Sequence, residues 1–159
     1  MRKIIPVCIL GLMVLSAGCT SYFSNLTAAK KNLQLNEYAV FEKEGNKFTA
    51  EITDIKGVSS GTRLNQVDIT IRVRGAGNKP VSLVAYPSLS DPSGEVYWGK
   101  NIFIGMVSPG GEFSGKSTIP IPTDEAFSSL KKGARLNLRF QDTKLIPYEG
   151  TWEIDITKI

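Results

Sequence analysis

Val67-Asp68-Ile69-Thr70-Ile71-Arg72-Val73-Arg74 is the stretch whose reading decides the fold. Val67, Ile69, Ile71 and Val73 alternate with polar residues, and a period of two marks a strand that buries one face and wets the other. The same period recurs on either side. Upstream, Phe48, Ala50 and Ile52 alternate with Thr49, Glu51 and Thr53, after a short edge strand at Tyr38 to Glu42 and a turn at Glu44-Gly45-Asn46. Gly57 to Gly61 reads as a Gly-Ser loop between these strands. Downstream, Gly75 to Pro80 supplies turn residues and Val81 to Leu89 resumes a strand. Asp91-Pro92-Ser93-Gly94 then has the proline and glycine placement of a type I turn.

Short strands follow at Glu95 to Trp98 and Asn101 to Gly105. Pro109-Gly110-Gly111 turns the chain into Phe113 to Ile121, where Pro120 and Pro122 suit an edge or an exit rather than a central ladder. One helix interrupts the pattern: Thr123 caps it, Asp124 and Glu125 fill its first turn, Lys131 and Lys132 its last, and Gly133 stops it. Ala126, Phe127 and Leu130 would face the core. Two strands close the chain, one with Ala134, Leu136, Leu138 and Phe140 inward, the other with Trp152, Ile154 and Ile156, joined by a loop holding Pro147 and Gly150. About seven to eight short strands with turns at this spacing predict an all-β fold, an immunoglobulin-like antiparallel sandwich with one short helix before its last two strands. A closed barrel is the alternative.

The first residues read differently. Arg2-Lys3 and the apolar run Ile4 to Leu15 have the layout of a secretory signal and are too short to span a bilayer. Leu15-Ser16-Ala17-Gly18-Cys19 resembles the lipobox of prokaryotic lipoproteins, with Ser16 where the commonest lipobox has leucine. The other reading is a soluble exported protein or an uncleaved anchor. The resemblance implies a diacylglyceryl thioether (palmitate or a similar acyl chain) on Cys19, cleavage before it and, in many species, acylation of the new amine. Two or more acyl chains hold a protein stably on a membrane. Residues 1–18 are then a signal peptide, 19–36 a polar lipid-anchored tether and 37–159 the sandwich domain. The location is the cell envelope, facing away from the cytoplasm. By lipoprotein sorting patterns Thr20 after the cysteine favours the outer membrane in a Gram-negative cell. Within the tether, Asn25 to Leu35 could form a short helix, although one so short is marginal.

Composition narrows the chemistry. Residues 19–159 suit one domain with one core. The formal charge of +4 includes Arg2 and Lys3, and no block of like charges remains without them, so a nucleic-acid footprint is absent. The two cysteines are Cys8, in the signal, and Cys19, which leaves the domain without a disulfide. There is no histidine, which removes the usual general base and the commonest zinc ligand. No cofactor, metal or catalytic residue is expected, and the protein reads as a non-enzyme.

Several of these segments resemble a known family. Val67 to Val73, the turn into Pro80-Val81, Asp91 to Tyr97, and Pro109 to Gly115 before Ile119-Pro120-Ile121-Pro122 are similar to the immunoglobulin-like domain of the DUF4352 type. The similarity covers roughly residues 47–158 and implies an extracytoplasmic adhesion or interaction module with no catalytic residues to transfer.

Tyr97 and Trp98, with the nearby Lys100, are the candidate ligand-binding residues: an exposed aromatic ledge beside a cation, for a glycan, a lipid or a protein. The competing reading is that the aromatics finish the core. Arg72, Arg74, Arg135 and Arg139 lie on outward faces, either as a patch for anionic groups or in cross-strand pairs, with Glu153 and Asp155 facing outward on the strand expected beside Arg135 to Gln141. Asp91, Glu95, Asp124, Glu125 and Asp142 show no spacing that fixes a catalytic pair. The expected function is an envelope module that binds a protein partner by interface contacts or strand addition. A glycan- or lipid-binding module is the alternative, and a carboxylate-dependent hydrolase a distant third.

Overall fold

The computed structural model describes residues 30–159. The signal, Cys19 and residues 19–29 of the tether lie outside the described residues.

Ten strands form two sheets packed face to face, and all pairings but one are antiparallel. The four-stranded sheet has the order β2 (Tyr38–Lys43), β3 (Asn46–Ser60), β4 (Arg63–Gly75) and β8 (Glu112–Pro120). The larger sheet runs β1 (Lys30–Leu33), β10 (Pro147–Ile154), β9 (Ala134–Asp142) and β5 (Val81–Ser90). Along the free side of β5 lie two short strands in succession, β6 (Val96–Trp98) and β7 (Ile102–Val107). Helix α1 (Asp124–Leu130) connects β8 to β9, with the Thr123 hydroxyl accepting the Ala126 N–H as its cap. No helix among the described residues is long and apolar enough to cross a membrane.

Alternation dictates the core. Val67, Ile69, Ile71 and Val73 are buried to within 1% and face Leu83, Ala85, Leu136, Leu138 and Phe140 of the other sheet. Phe41, Phe48, Phe140 and Tyr148 form an aromatic knot between the layers, with ring centroids 5.0 to 6.2 Å apart. Offset and edge-on rings at such distances are the favoured geometries. Pro120 closes β8, which is an edge strand of its sheet, where a proline is tolerated.

Three expectations are corrected. The helix at Asn25 to Leu35 gives way, over its described part, to strand β1, which pairs in parallel with β10. The sandwich thus begins at Lys30, inside the 19–36 tether, because an open sheet edge supplies backbone partners that a marginal helix cannot match. Gly57 to Ser60 belongs to β3, and the turn is only Gly61-Thr62. Over Gly57 to Ser60 β3 itself carries no inward apolar side chain to announce it; the buried apolar residue at this end is Leu64 of β4, which packs against Gly57. Pro147 and Gly150 lie within β10 rather than in a loop. Proline is tolerated as the first residue of a strand, and a Cβ on Gly150 would stand 2.7 Å from the Trp152 ring, which occupies that space instead.

Candidate functional site

Asp91 sets up the candidate site. Its carboxylate accepts the N–H groups of Ser93 and Glu95, both at 2.9 Å, the Ser93 hydroxyl at 2.7 Å, and the Ser129 hydroxyl of α1. The Ser129 and Ser93 hydroxyls, with those N–H groups, hold its pKa down to about 2. The turn into β6 is thereby pinned to the helix. Asp142 braces the opposite end, accepting from Lys144 and Ile146 N–H at 2.8 and 2.9 Å and from the Asn46 amide at 2.9 Å. These two carboxylates are committed to loop structure at opposite ends of the sandwich, and they do not make a catalytic pair. Among the described residues no cluster of three or more acidic, cysteine or histidine side chains is placed to hold a metal.

From the Asp91 turn, β6 alternates. Tyr97 points inward and is 7% exposed, with a hydroxyl that has no hydrogen-bond partner among the described residues. Burial, together with the nearby Glu95 carboxylate, pushes its pKa up. Tyr97 is a core residue, which takes it out of the expected ledge. Trp98 points outward, opposite Ser88 of β5, and is 57% exposed.

Lys100 is also separated from Trp98. After Trp98 the chain crosses to the other sheet: the Lys100 N–H donates to Thr118 O at 3.1 Å, and Lys100 O accepts the Ser117 hydroxyl at 2.5 Å. Gly99 makes this crossing possible, since a Cβ there would stand 2.7 Å from Ile119. Lys100 borders a depression of about 240 Å³ beside Asp54, Lys56, Asp68, Lys116 and Thr118. Trp98 borders another, of about 170 Å³, with Val96, Asn137, Arg139, Glu149 and Thr151. The expected trio is therefore dispersed to the core and two separate surfaces.

The outer face of the six-stranded sheet gathers what the trio does not. Phe103 and Met106 of β7, 79% and 72% exposed, stand opposite Val84 and Ser82 of β5. Val84, Tyr86 and Ser88 lead along β5 from Phe103 to Trp98, and Tyr86 stands opposite Arg139. Phe103 and Met106 escaped the sequence reading, although Ile102 to Val107 carries bulky apolar residues on both faces of a short strand. That two-sided pattern was the available signal. Gly105, with φ +69, sits at the irregularity in the β5–β7 register, so Met106 follows it outward.

The arginines divide into two kinds. Arg72 pairs with Glu51 at 3.0 Å and Glu112 at 3.2 Å, and Arg74 with Glu112 at 2.6 Å. These partners come from β3 and β8. Asp155 pairs with Lys158. Arg135 and Arg139 stand opposite Glu153 and Glu149 in register, yet neither has an ion pair among the described residues.

No family model and no curated protein sequence matches this chain. Among solved structures it is similar to MPT63, a secreted protein from Mycobacterium tuberculosis, at 11% identity and a TM-score of 0.50 over 80% of this chain and 100% of that one. At that identity the likeness is one of fold, and with the two-sheet topology it makes the chain an immunoglobulin-like β-sandwich. Beta-glucosidase 3B from Thermotoga neapolitana matches 67% of the chain over 16% of its own length, at 15% identity and a TM-score of 0.36. A beta-glucosidase from Kluyveromyces marxianus matches 69% over 14% of its length, at 12% identity and a TM-score of 0.41.

Proposed function

We propose that this chain is a non-enzymatic lipoprotein of the cell envelope, anchored through Cys19, whose sandwich presents the outer face of its six-stranded sheet to a protein partner. The observation that carries the reading is the exposure of Trp98 and Phe103 on one face, beside an Arg139 with no ion pair among the described residues. Aromatic residues and arginine are enriched at the centres of protein interfaces, and neighbouring exposed apolar side chains mark a surface meant to be covered. The lipobox-like segment supports the anchor, and the resemblance to DUF4352-type domains supports an extracytoplasmic interaction role.

A photo-crosslinking residue placed at 98 or 103 in cells should capture one and the same protein, absent when the probe is at Val40 on the other sheet. Capture no different from that control removes the interaction surface. Cys19→Ser should release the protein from membranes, and retention after a carbonate wash removes the anchor. A second reading, a glycan site, is favoured by the depression beside Trp98, whose amide, guanidinium, carboxylate and hydroxyl groups could bind one sugar ring. A saturable change in tryptophan fluorescence with a glycan, lost in Trp98→Ala, would establish it in place of the protein site.

A further inference from the structure

One end of the sandwich differs from the other in a way that bears on the anchor. It is formed by the 75–80 loop, the loop after β9, and the turns at Glu44-Gly45 and Pro109-Gly110. Strand β1 runs parallel to β10 and away from this end. Lys30 lies beside Gly150, about 10 Å along β10 from the start of that strand. Residues 1–29 therefore join the domain near this end.

The rim of the six-stranded sheet here is apolar and cationic. Met106 and Leu145 are 72% and 70% exposed. Met106 stands opposite Ser82, and Asp142, just before the loop, opposite Leu83, so roughly two strand spacings, ~10 Å, separate the two apolar side chains across the sheet. Leu145 is held at the loop tip in a left-handed conformation, φ +61, by the hydrogen bonds of Asp142 on either side of it. Keeping a leucine there costs backbone strain, and its side chain finds no core in return. Lys79, before β5, and Lys144 are exposed, with no ion pair among the described residues. Of the carboxylates at this end, Glu42 pairs with Lys47, Glu112 pairs with Arg72 and Arg74, and Asp142 is buried. Glu149 of β10 is half-buried opposite Arg139, and Glu44 remains exposed, on the hairpin of the four-stranded sheet.

We propose that this rim, built from Met106, Leu145, Lys79 and Lys144, rests in the headgroup layer of the bilayer that holds the Cys19 lipid, with anionic headgroups facing the lysines. The proposal rests on the lipid-anchor reading. Chain length agrees with it. Lys30 follows Cys19 by eleven residues, a reach of at most about 36–40 Å. The rim-down pose uses a fraction of that reach. The thirteen residues of β4 make the sandwich ~40 Å tall, so the inverted pose would need a nearly extended tether, which chain entropy opposes. In the rim-down pose lysine attraction adds to apolar insertion and weakens with salt.

The test uses the mature lipidated protein in vesicles of phosphatidylcholine and phosphatidylglycerol carrying a headgroup spin label. A fluorophore is attached at Leu145→Cys or, at the opposite end, at Thr62→Cys. Quenching several-fold stronger at 145 than at 62, and reduced in Lys79→Glu/Lys144→Glu, is the expected result. Vesicle-bound protein with equal quenching at both positions overturns the orientation alone. Protein that stays in the supernatant, with Cys19 unmodified by mass spectrometry, overturns the anchor and the proposal with it.

Discussion

Phe48 and Phe103 are the same side chain on two strands of one sandwich, and their substitution should separate what holds the fold from what the fold displays. Phe48 is fully buried in the aromatic knot, 5.0 to 5.4 Å by ring centroid from Phe41, Phe140 and Tyr148. Phe48→Ala removes its transfer energy and leaves a cavity between the sheets, a loss of about 3–5 kcal/mol. A domain of this size holds ~5–15 kcal/mol in all, so the urea midpoint should fall steeply. Phe103 is 79% exposed. About a fifth of a ~200 Å² side chain is then covered, and Phe103→Ala should cost ~1 kcal/mol at most. Urea titration followed by tryptophan fluorescence reports both, since Trp152 is buried. A loss above ~2 kcal/mol for Phe103→Ala would show that Phe103 is packing rather than display. A loss below ~1 kcal/mol for Phe48→Ala would refute the inter-sheet knot.

Two other perturbations probe the supports of the site. Gly150→Ala places a Cβ 2.7 Å from the Trp152 ring and 3.2 Å from Phe41. It should destabilise by about 1–3 kcal/mol and alter near-ultraviolet circular dichroism, and an unchanged urea midpoint would contradict that packing. Asp91 has its folded pKa lowered from 3.8 to about 2, so its contribution is fully present above the ordinary pKa and is lost as pH falls through the folded value. Asp91→Asn should therefore be less stable than the parent at neutral pH and approach it between about pH 4 and pH 2. A stability gap that does not change across that window would mean the carboxylate charge is not what pins the turn.

The buried halves of the strands were legible because burial on one face imposes alternation, as at Val67 to Val73 and Ala134 to Phe140. Gly57 to Ser60 and β1 were illegible for the converse reason. The first faces inward through a glycine, Gly57, whose cover comes from Leu64 of β4, and the second depends on an edge more than a hundred residues away in the chain. Gly150 reads as a loop residue until Trp152 is seen to fill the space beside it. At the candidate site, the period of two already separates Tyr97 from Trp98 onto opposite faces, and the ledge expected of both ignored it. The displacement of Lys100 could not be read, since it follows from a crossing to Thr118 on the other sheet. Phe103 and Met106 share a short strand with the inward Ile102, Ile104 and Val107, and hydrophobicity alone does not tell its displayed face from its buried one.

Hydroxyl-radical footprinting of the natively expressed protein, in intact cells and after purification, bears most directly on whether the outer face of the six-stranded sheet is a contact surface. Oxidation at Trp98 and Phe103 should be several-fold lower in cells than in the purified protein, while Tyr38, at 64% exposure on the edge of the other sheet, changes little. Equal oxidation of Trp98 and Phe103 in both settings, with Tyr38 as the internal reference, would show that nothing covers this face and would contradict its assignment.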